Sequence, residues 1–129
     1  VNEVIDGLMI KTENFFKSNY YYIYTSTSCK ISAITTIIFD YVCEKKDLFV
    51  IWKYSEAIPG LYERFLQAMI TILKKACRQY GKEEKHLNHH LFATFYAYGI
   101  MGLIMQWIKN DFTASPKYMA NQCKQIVKQ

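Results

Sequence analysis

Residues 91–108 read LFATFYAYGIMGLIMQWI, a run without a single charged side chain. A helix of this composition is apolar on every side, so it must be buried on every side. About six helices in one chain cannot cover it completely. We therefore expect one face of this helix to pack on the core of its own domain and the other on a second copy of the chain. Gly99 and Gly102, close together on the helix surface, would let that second helix approach closely.

The same run is just long enough to cross a lipid bilayer. Thr94, Gln106, two tyrosines and two glycines interrupt it, and no other stretch of the chain is comparable. These features favour a buried helix over a membrane span, and we predict a cytoplasmic protein with no membrane contact. A helical membrane-associated or protein-interaction module stays open as the alternative function.

Apolar residues elsewhere recur at helical spacing. They predict helices over about residues 1–18, 30–44, 61–80, 84–109 and 115–128, with a short amphipathic piece at 47–54. Pro59-Gly60 precedes the third of these helices, and Ser115-Pro116 is a typical helix start, with serine as N-cap and proline in the first turn. There is no convincing strand, repeat or linker. We predict an all-α fold of five to six helices in a single domain spanning residues 1–129.

Composition narrows the function further. The chain has 129 residues, 51% of them hydrophobic and 21% charged, which is typical of a globular domain. Its net charge of +5 comes from lysines spread along the chain, with only two arginines. A nucleic-acid site usually concentrates basic residues on one face, so we expect no direct DNA contact from these residues. No phosphate-binding loop, nucleophile elbow or other catalytic pattern is present; we predict that the chain is not an enzyme and takes no cofactor.

Three histidines, His86, His89 and His90, would share one face of the predicted helix, and histidines four residues apart can bind a metal ion. However, no glutamate lies between them as in a zinc protease, and no second ligand cluster exists in the sequence. We therefore predict no metal site, and interpret the histidines as polar residues at the beginning of a long helix.

Aromatic and methionine side chains are abundant enough to form either an ordinary core or an apolar pocket between helices, and composition does not decide between them. The 61–80 helix carries an apolar stripe wider than one neighbour can cover. If a ligand pocket exists, it is expected between this helix, the 84–109 helix and the aromatic piece near Trp52. The candidate lining residues are Trp52, Tyr54, Phe65, Met69, His89, Phe92 and Tyr96.

The last third of the chain has a more specific pattern. An aromatic-rich helix with Gly99-x-x-Gly102 and Trp107-Ile108 is followed by a polar loop and by Ser115-Pro116-Lys117-Tyr118-Met119-Ala120. This pattern resembles the end of the C-terminal domain of TetR/AcrR-type transcriptional regulators. Residues 39–49 are similar to a segment between two earlier helices of that domain, so the resemblance covers roughly residues 30–128.

The resemblance implies a bacterial regulator domain that forms a homodimer through its last two helices and, in many members, binds a small effector. It further implies that residues 1–28 join this domain to a helix-turn-helix head. No such head precedes Val1 here, so DNA binding is expected only through that other part of the protein. The candidate dimer residues are Phe95, Gly99, Gly102, Leu103, Gln106, Tyr118, Met119 and Gln122.

Overall fold

The computed structural model describes residues 2–18, 27–53, 60–78 and 87–128, and nearly all of these are helical. The helices are α1 (Asn2–Ser18), α2 (Thr27–Glu44), α3 (Lys46–Phe49), α4 (Leu61–Arg78), α5 (His89–Lys109) and α6 (Pro116–Lys128), and a 3₁₀ turn (Val50–Lys53) follows α3. The described ranges contain no β-strand. The prediction of an all-α fold with five to six helices is confirmed.

Helix α2 forms despite a run of β-branched residues that favours strands by propensity. Ile34 and Ile38 fall on one side of the helix and are fully buried, whereas Asp40 is exposed. Thr35 satisfies its own hydroxyl group by donating to the backbone carbonyl of Ile31 at 2.7 Å. Burial of one helical face therefore outweighs the local strand preference, as the helical spacing of the apolar residues predicted.

Helix α5 begins later than predicted. Asn88 has an extended backbone (φ −76°, ψ 110°), and its side chain accepts a hydrogen bond from the backbone N–H of Leu91 at 2.9 Å. Asparagine is among the best N-cap residues, so the helix starts at His89 and not within the polar run at 82–85. The predicted start at residue 84 is wrong; residues 79–86 themselves lie outside the described ranges.

Helix α6 begins where the sequence indicated. The side-chain oxygen of Ser115 accepts from the backbone N–H of Tyr118 at 3.0 Å, and Pro116 is the first helical residue. Proline suits this position because its missing N–H would have no intrahelical partner there.

The six helices enclose one core. The most extensive helix pairs are α4 with α5 and α2 with α6, while α1 lies across α4 and α2. Every long helix contributes buried side chains, and the fully buried ones include Leu8, Ile34, Ile38, Phe39, Phe65, Met69, Leu73, Ile100 and Ile104. Because α2 and α6 form one of the most extensive pairs, α6 packs on α2 more than on α5.

A tight turn joins α5 to α6 and sets their relative position. The N–H of Asp111 bonds to the carbonyl of Ile108, and the N–H of Phe112 bonds to that of Trp107, both at 3.0 Å. This pair of bonds is a Schellman motif, and the rings of Trp107 and Phe112 add its usual apolar contact, 4.9 Å apart. Because Asp111 and Phe112 both have positive φ values of 57° and 55°, the chain reverses within a few residues.

Candidate functional site

Helix α5 has two distinct faces. Its buried face consists of Ala93, Tyr96, Ala97, Ile100, Met101, Ile104, Trp107 and Ile108. Its opposite side presents Leu91, Phe95, Tyr98, Gly99, Gly102 and Gln106 to solvent. Phe95 is 77% exposed, the highest value among the large hydrophobic side chains that the structure describes. One protomer therefore covers only one face of this apolar helix.

Helix α6 continues the exposed side of α5. Tyr118 and Gln122 point outward, whereas Ala120 and Cys123 are buried. Near the turn, Gln106 of α5 lines an open pocket of about 450 Å³ together with Tyr118 and Met119 of α6. The outward residues of the two helices are thus neighbours on one surface.

We give the name outer face to the eight candidate dimer residues of α5 and α6. Phe95, Gly99, Gly102, Gln106, Tyr118 and Gln122 are exposed, and Leu103 and Met119 are half-buried. A Cβ atom added to Gly99 or Gly102 would meet no atom of the protomer within 4 Å. Packing within the protomer therefore gives no reason for glycine at either position. The eight residues also carry no charge, so the outer face has few groups that would resist leaving water.

The candidate effector residues divide into two groups. Trp52 and Phe65 belong to the first, where both rings pack edge-on against Phe49 at 5.1 and 5.2 Å. Phe65 and Met69 are fully buried, and Trp52 nearly so. Lys53, next to Trp52, forms an ion pair with Asp111 just beyond the end of α5. Trp52 and the two rings packed on it, Phe49 and Phe65, therefore lie near the C-terminal end of α5.

The second group lies within the first eight residues of α5. It contains His89, Phe92 and Tyr96, and the rings of Phe92 and Tyr96 are 5.7 Å apart. Tyr96 is about 20 Å along the helix axis from Lys109, so the two groups occupy opposite ends of α5. Trp52 and Phe65 therefore lie apart from His89, Phe92 and Tyr96; Tyr54 lies outside the described ranges.

A buried chain of hydrogen bonds connects α2, α5 and α6. Since Thr35 gives its hydroxyl proton to the carbonyl of Ile31, its oxygen accepts from the Tyr96 hydroxyl at 2.9 Å. The thiol of Cys123 in turn donates to the Tyr96 oxygen at 3.9 Å. Burial raises the pKa of both Tyr96 and Cys123, so both groups stay neutral at physiological pH.

The chemistry of this network is structural. Neutral hydroxyl and thiol groups that satisfy one another hold three helices in register but provide neither a strong base nor a nucleophile. Sequence reasoning missed Thr35 and Cys123. The available signal for Thr35 was its helical spacing from Ile31 and Ile38, which places its hydroxyl group on the buried side of α2.

Pockets open on the surface away from the effector candidates. One of about 380 Å³ lies between α1 and α4, with a lining of Ile5, Asp6, Met9, Glu63, Arg64, Gln67, Ala68 and Thr71. The other is the pocket at the α5–α6 turn, of which Gln106 and Tyr118 are part. Neither pocket is lined by an effector candidate.

The histidines are placed at the beginning of α5. His89 and His90 are its first two residues, while His86 lies outside the described ranges. Within those ranges, no three histidine, cysteine, aspartate or glutamate side chains are grouped so as to hold a metal ion. The absence of a metal site remains a prediction.

By length and composition alone, α5 also qualifies as a candidate membrane span. Of its most apolar window, 44% is buried inside the protomer. A core helix of a soluble protein passes the same test, so this property is weak evidence.

Comparison with known proteins gives one match. A family model of the TetR type, described as a transcriptional regulator C-terminal region, matches residues 30–129. The matched range includes the whole outer face and all the effector candidates. Neither the curated proteins nor the solved structures contain a match to the chain.

Proposed function

Because the chain belongs to the family of TetR-type transcriptional regulator C-terminal regions, we propose that it is the homodimerising regulatory domain of a cytoplasmic bacterial regulator. In this proposal two copies associate through their outer faces and form a bundle of four helices, α5 and α6 from each. The domain's role is assembly and ligand response, without catalysis. DNA contact belongs to a helix-turn-helix head outside this sequence.

The exposure of Phe95 is the observation that carries this proposal. Burying a phenylalanine side chain stabilises an assembly by about 1.5–3 kcal/mol relative to leaving it in water. A 77% exposed phenylalanine beside two glycines and several uncharged side chains is unfavourable on a surface that stays in water. Association with an identical face removes all of these groups from water at once.

The dimensions of the outer face suit a stable dimer. Helix α5 has 21 residues and α6 has 13, which correspond to lengths of about 30 and 20 Å. Neighbouring helices lie about 8–10 Å apart, so the face is roughly 20 Å wide. A flat rectangle of this length and width has an area of about 500 Å². The solvent-accessible area of the outer face is larger because side chains project from it. A stable interface buries about 800 Å² per partner, which is within reach of this face.

The effector part of the proposal rests on family membership and on the aromatic side chains inside the bundle. The second group combines the imidazole of His89, the half-buried ring of Phe92 and the buried phenol of Tyr96. Such a mixture of apolar surface and a few polar groups fits a small apolar or aromatic ligand.

A membrane-associated module is the second candidate function, and the span-like composition of α5 favours it. In that case the outer face would be covered by lipid or detergent. The protein would then need detergent to stay dispersed, whereas a dimerisation domain needs only its second copy.

Sedimentation equilibrium without detergent tests the proposed function. We expect a dimer of twice 15.2 kDa, and we expect Phe95→Asp to shift it to monomer because a carboxylate cannot be buried there unpaired. Ile10→Asp is the matched control, since Ile10 is also an exposed apolar side chain, 59% accessible, but lies on α1. A wild-type chain that is monomeric at about 100 μM, far above the Kd of a specific dimer, contradicts the proposal. A chain that disperses only in detergent supports the second function.

Titration with 1-anilinonaphthalene-8-sulfonate, an apolar aromatic probe, tests the effector site. We expect saturable binding that Phe92→Ala weakens and Ile10→Ala leaves unchanged. Equal binding to both variants would contradict a site beside Phe92.

A further inference from the structure

Large and small residues are segregated along the outward side of α5. The first half carries Leu91, Phe95 and Tyr98, and the second half carries Gly99, Gly102 and Gln106. All six side chains or glycine positions are exposed in the protomer. The helix therefore has a ridge at one end and a notch at the other.

In a two-fold dimer, a contact from residue i to residue j is repeated from j to i. Two parallel α5 helices would place Phe95 against its own copy and each glycine against a glycine. The two phenylalanine rings would then compete for the same space, and a gap would remain between the glycines. Two antiparallel helices that cross between Tyr98 and Gly99 instead place each large residue opposite a smaller or more flexible one.

Resting on the proposed function, we propose that the α5 helices of two protomers cross antiparallel at the midpoint between Tyr98 and Gly99. Phe95 of each protomer then fills the notch above the partner's Gly102. The same symmetry pairs Tyr98 with the partner's Gly99 and Leu91 with the partner's Gln106. One register thus accounts for the positions of all six outward residues of α5.

The notch at Gly102 is open in the protomer. No protomer atom lies within 4 Å of the position that a Cβ would take there. Phe95 and Gly102 are seven residues apart, which is about two helical turns, so both point to the same side. A ring projecting from one helix can therefore enter the space left by the missing side chain on the other.

The proposed register also gives Leu91 an apolar partner at the α5–α6 turn. The crossing places Leu91, 64% exposed, over the partner's Gln106, which is part of the lining of that pocket. The pocket of about 450 Å³ also presents Trp107 and Met119, which are apolar partners for a leucine. Helix α6 enters the interface at this end, as a four-helix bundle requires.

A size-swap experiment tests this register. Gly102→Leu should raise the dimer dissociation constant at least tenfold, because two large side chains then compete for one space. Adding Phe95→Ala to the same chain should recover most of the lost affinity, whereas adding Tyr118→Ala should not. The thermal midpoint of dilute, monomeric Gly102→Leu should not fall, since its side chain meets nothing within the protomer. Absence of this specific recovery overturns the register.

Disulfide cross-linking provides a second measurement. A mixture of Phe95→Cys and Gly102→Cys chains should form a covalent heterodimer on mild oxidation, with the wild-type chain as the control for the native cysteines. Efficient cross-linking of Phe95→Cys with itself would indicate parallel helices and overturn the inference. A wild-type monomer would instead contradict the proposed function, and a wild-type dimer without the predicted cross-link would contradict the register alone.

Discussion

A Cβ atom on Gly7 would overlap the hydroxyl oxygen of Tyr41. The same hydroxyl donates a hydrogen bond of 2.7 Å to the backbone carbonyl of Val4. Tyr41 is almost fully buried, so it cannot easily move aside. Glycine at this position therefore allows α1 to approach α2, although it weakens α1 as an isolated helix.

We predict that Gly7→Ala destabilises the protein. Alanine favours a helix by about 1 kcal/mol over glycine, but overpacking against the fixed phenol costs about 1–3 kcal/mol, and the second effect should win. In a Tyr41→Phe background the same change should cost less, because the conflicting oxygen is gone. Urea denaturation of the four variants measures this coupling, and additive effects would refute the contact.

Loss of the two partners in the Thr35–Tyr96 hydrogen bond should have unequal effects. Thr35→Val leaves the Tyr96 hydroxyl proton buried without an acceptor, at a cost of about 1–3 kcal/mol. Tyr96→Phe leaves Thr35 bonded to the carbonyl of Ile31, so it should cost less. Chemical denaturation measures the free energy of unfolding of both variants. A larger loss in Tyr96→Phe than in Thr35→Val would contradict the assigned donor direction.

Folding stability should fall in alkaline solution. An unfolded chain releases a tyrosine proton near pH 10, whereas burial raises the pKa of Tyr96 in the folded protein. Above about pH 10 the folded state therefore binds more protons than the unfolded state, and its free energy of unfolding decreases as pH rises. Denaturation between about pH 8 and 11 should show a shallower decline for Tyr96→Phe. Tyr62→Phe, at an exposed tyrosine of α4 away from the outer face, serves as control, and an equal decline in both variants would contradict the assignment.

The turn between α5 and α6 should be sensitive to the shape of residue 111. Asp111 has a positive φ of 57°, which aspartate and asparagine tolerate but β-branched residues do not. We expect Asp111→Val to lower the free energy of unfolding by more than about 1 kcal/mol.

Asp111→Asn separates backbone shape from charge at the same position. It keeps the backbone preference and removes only the exposed ion pair with Lys53, which is worth about 0–1 kcal/mol. Thermal denaturation compares the two variants. Similar losses in both would show that charge, and not backbone conformation, matters there.

Much of the fold could be predicted because helices depend on local pattern. Apolar spacing identified the long helices, and Ser115-Pro116 located the beginning of α6, which the Ser115 cap confirms. The beginning of α5 was missed because two signals compete within a few residues. The acidic residues at 83 and 84 favour an early start, but the hydrogen bond from the Leu91 N–H to Asn88 establishes a later one.

The sequence could indicate that part of α5 lies outside the domain core, because the helix is apolar on every side; the role of its exposed residues in a dimer stays a prediction. The effector candidates stay a prediction, since a pocket depends on contacts between distant segments that no local pattern describes. Trp52 and Tyr96 both carry aromatic rings, but the 3₁₀ turn holds Trp52 near the C-terminal end of α5, whereas Tyr96 lies within its first eight residues. No local sequence pattern predicts how far Trp52 and Tyr96 lie from each other in the folded chain.

Phe95 and Tyr96 show which properties of a residue follow from the sequence and which follow from the tertiary structure. The sequence by itself determined that both belong to one long apolar helix in an all-α domain, because composition and periodicity are local properties. Only the tertiary structure decided that Phe95 is 77% exposed and Tyr96 4% exposed. Adjacent residues are rotated by about 100° on a helix, so the neighbours of the helix determine which one is buried. Thr35 of α2, 61 positions away in sequence, binds the hydroxyl of Tyr96 and leaves Phe95 on the outer face.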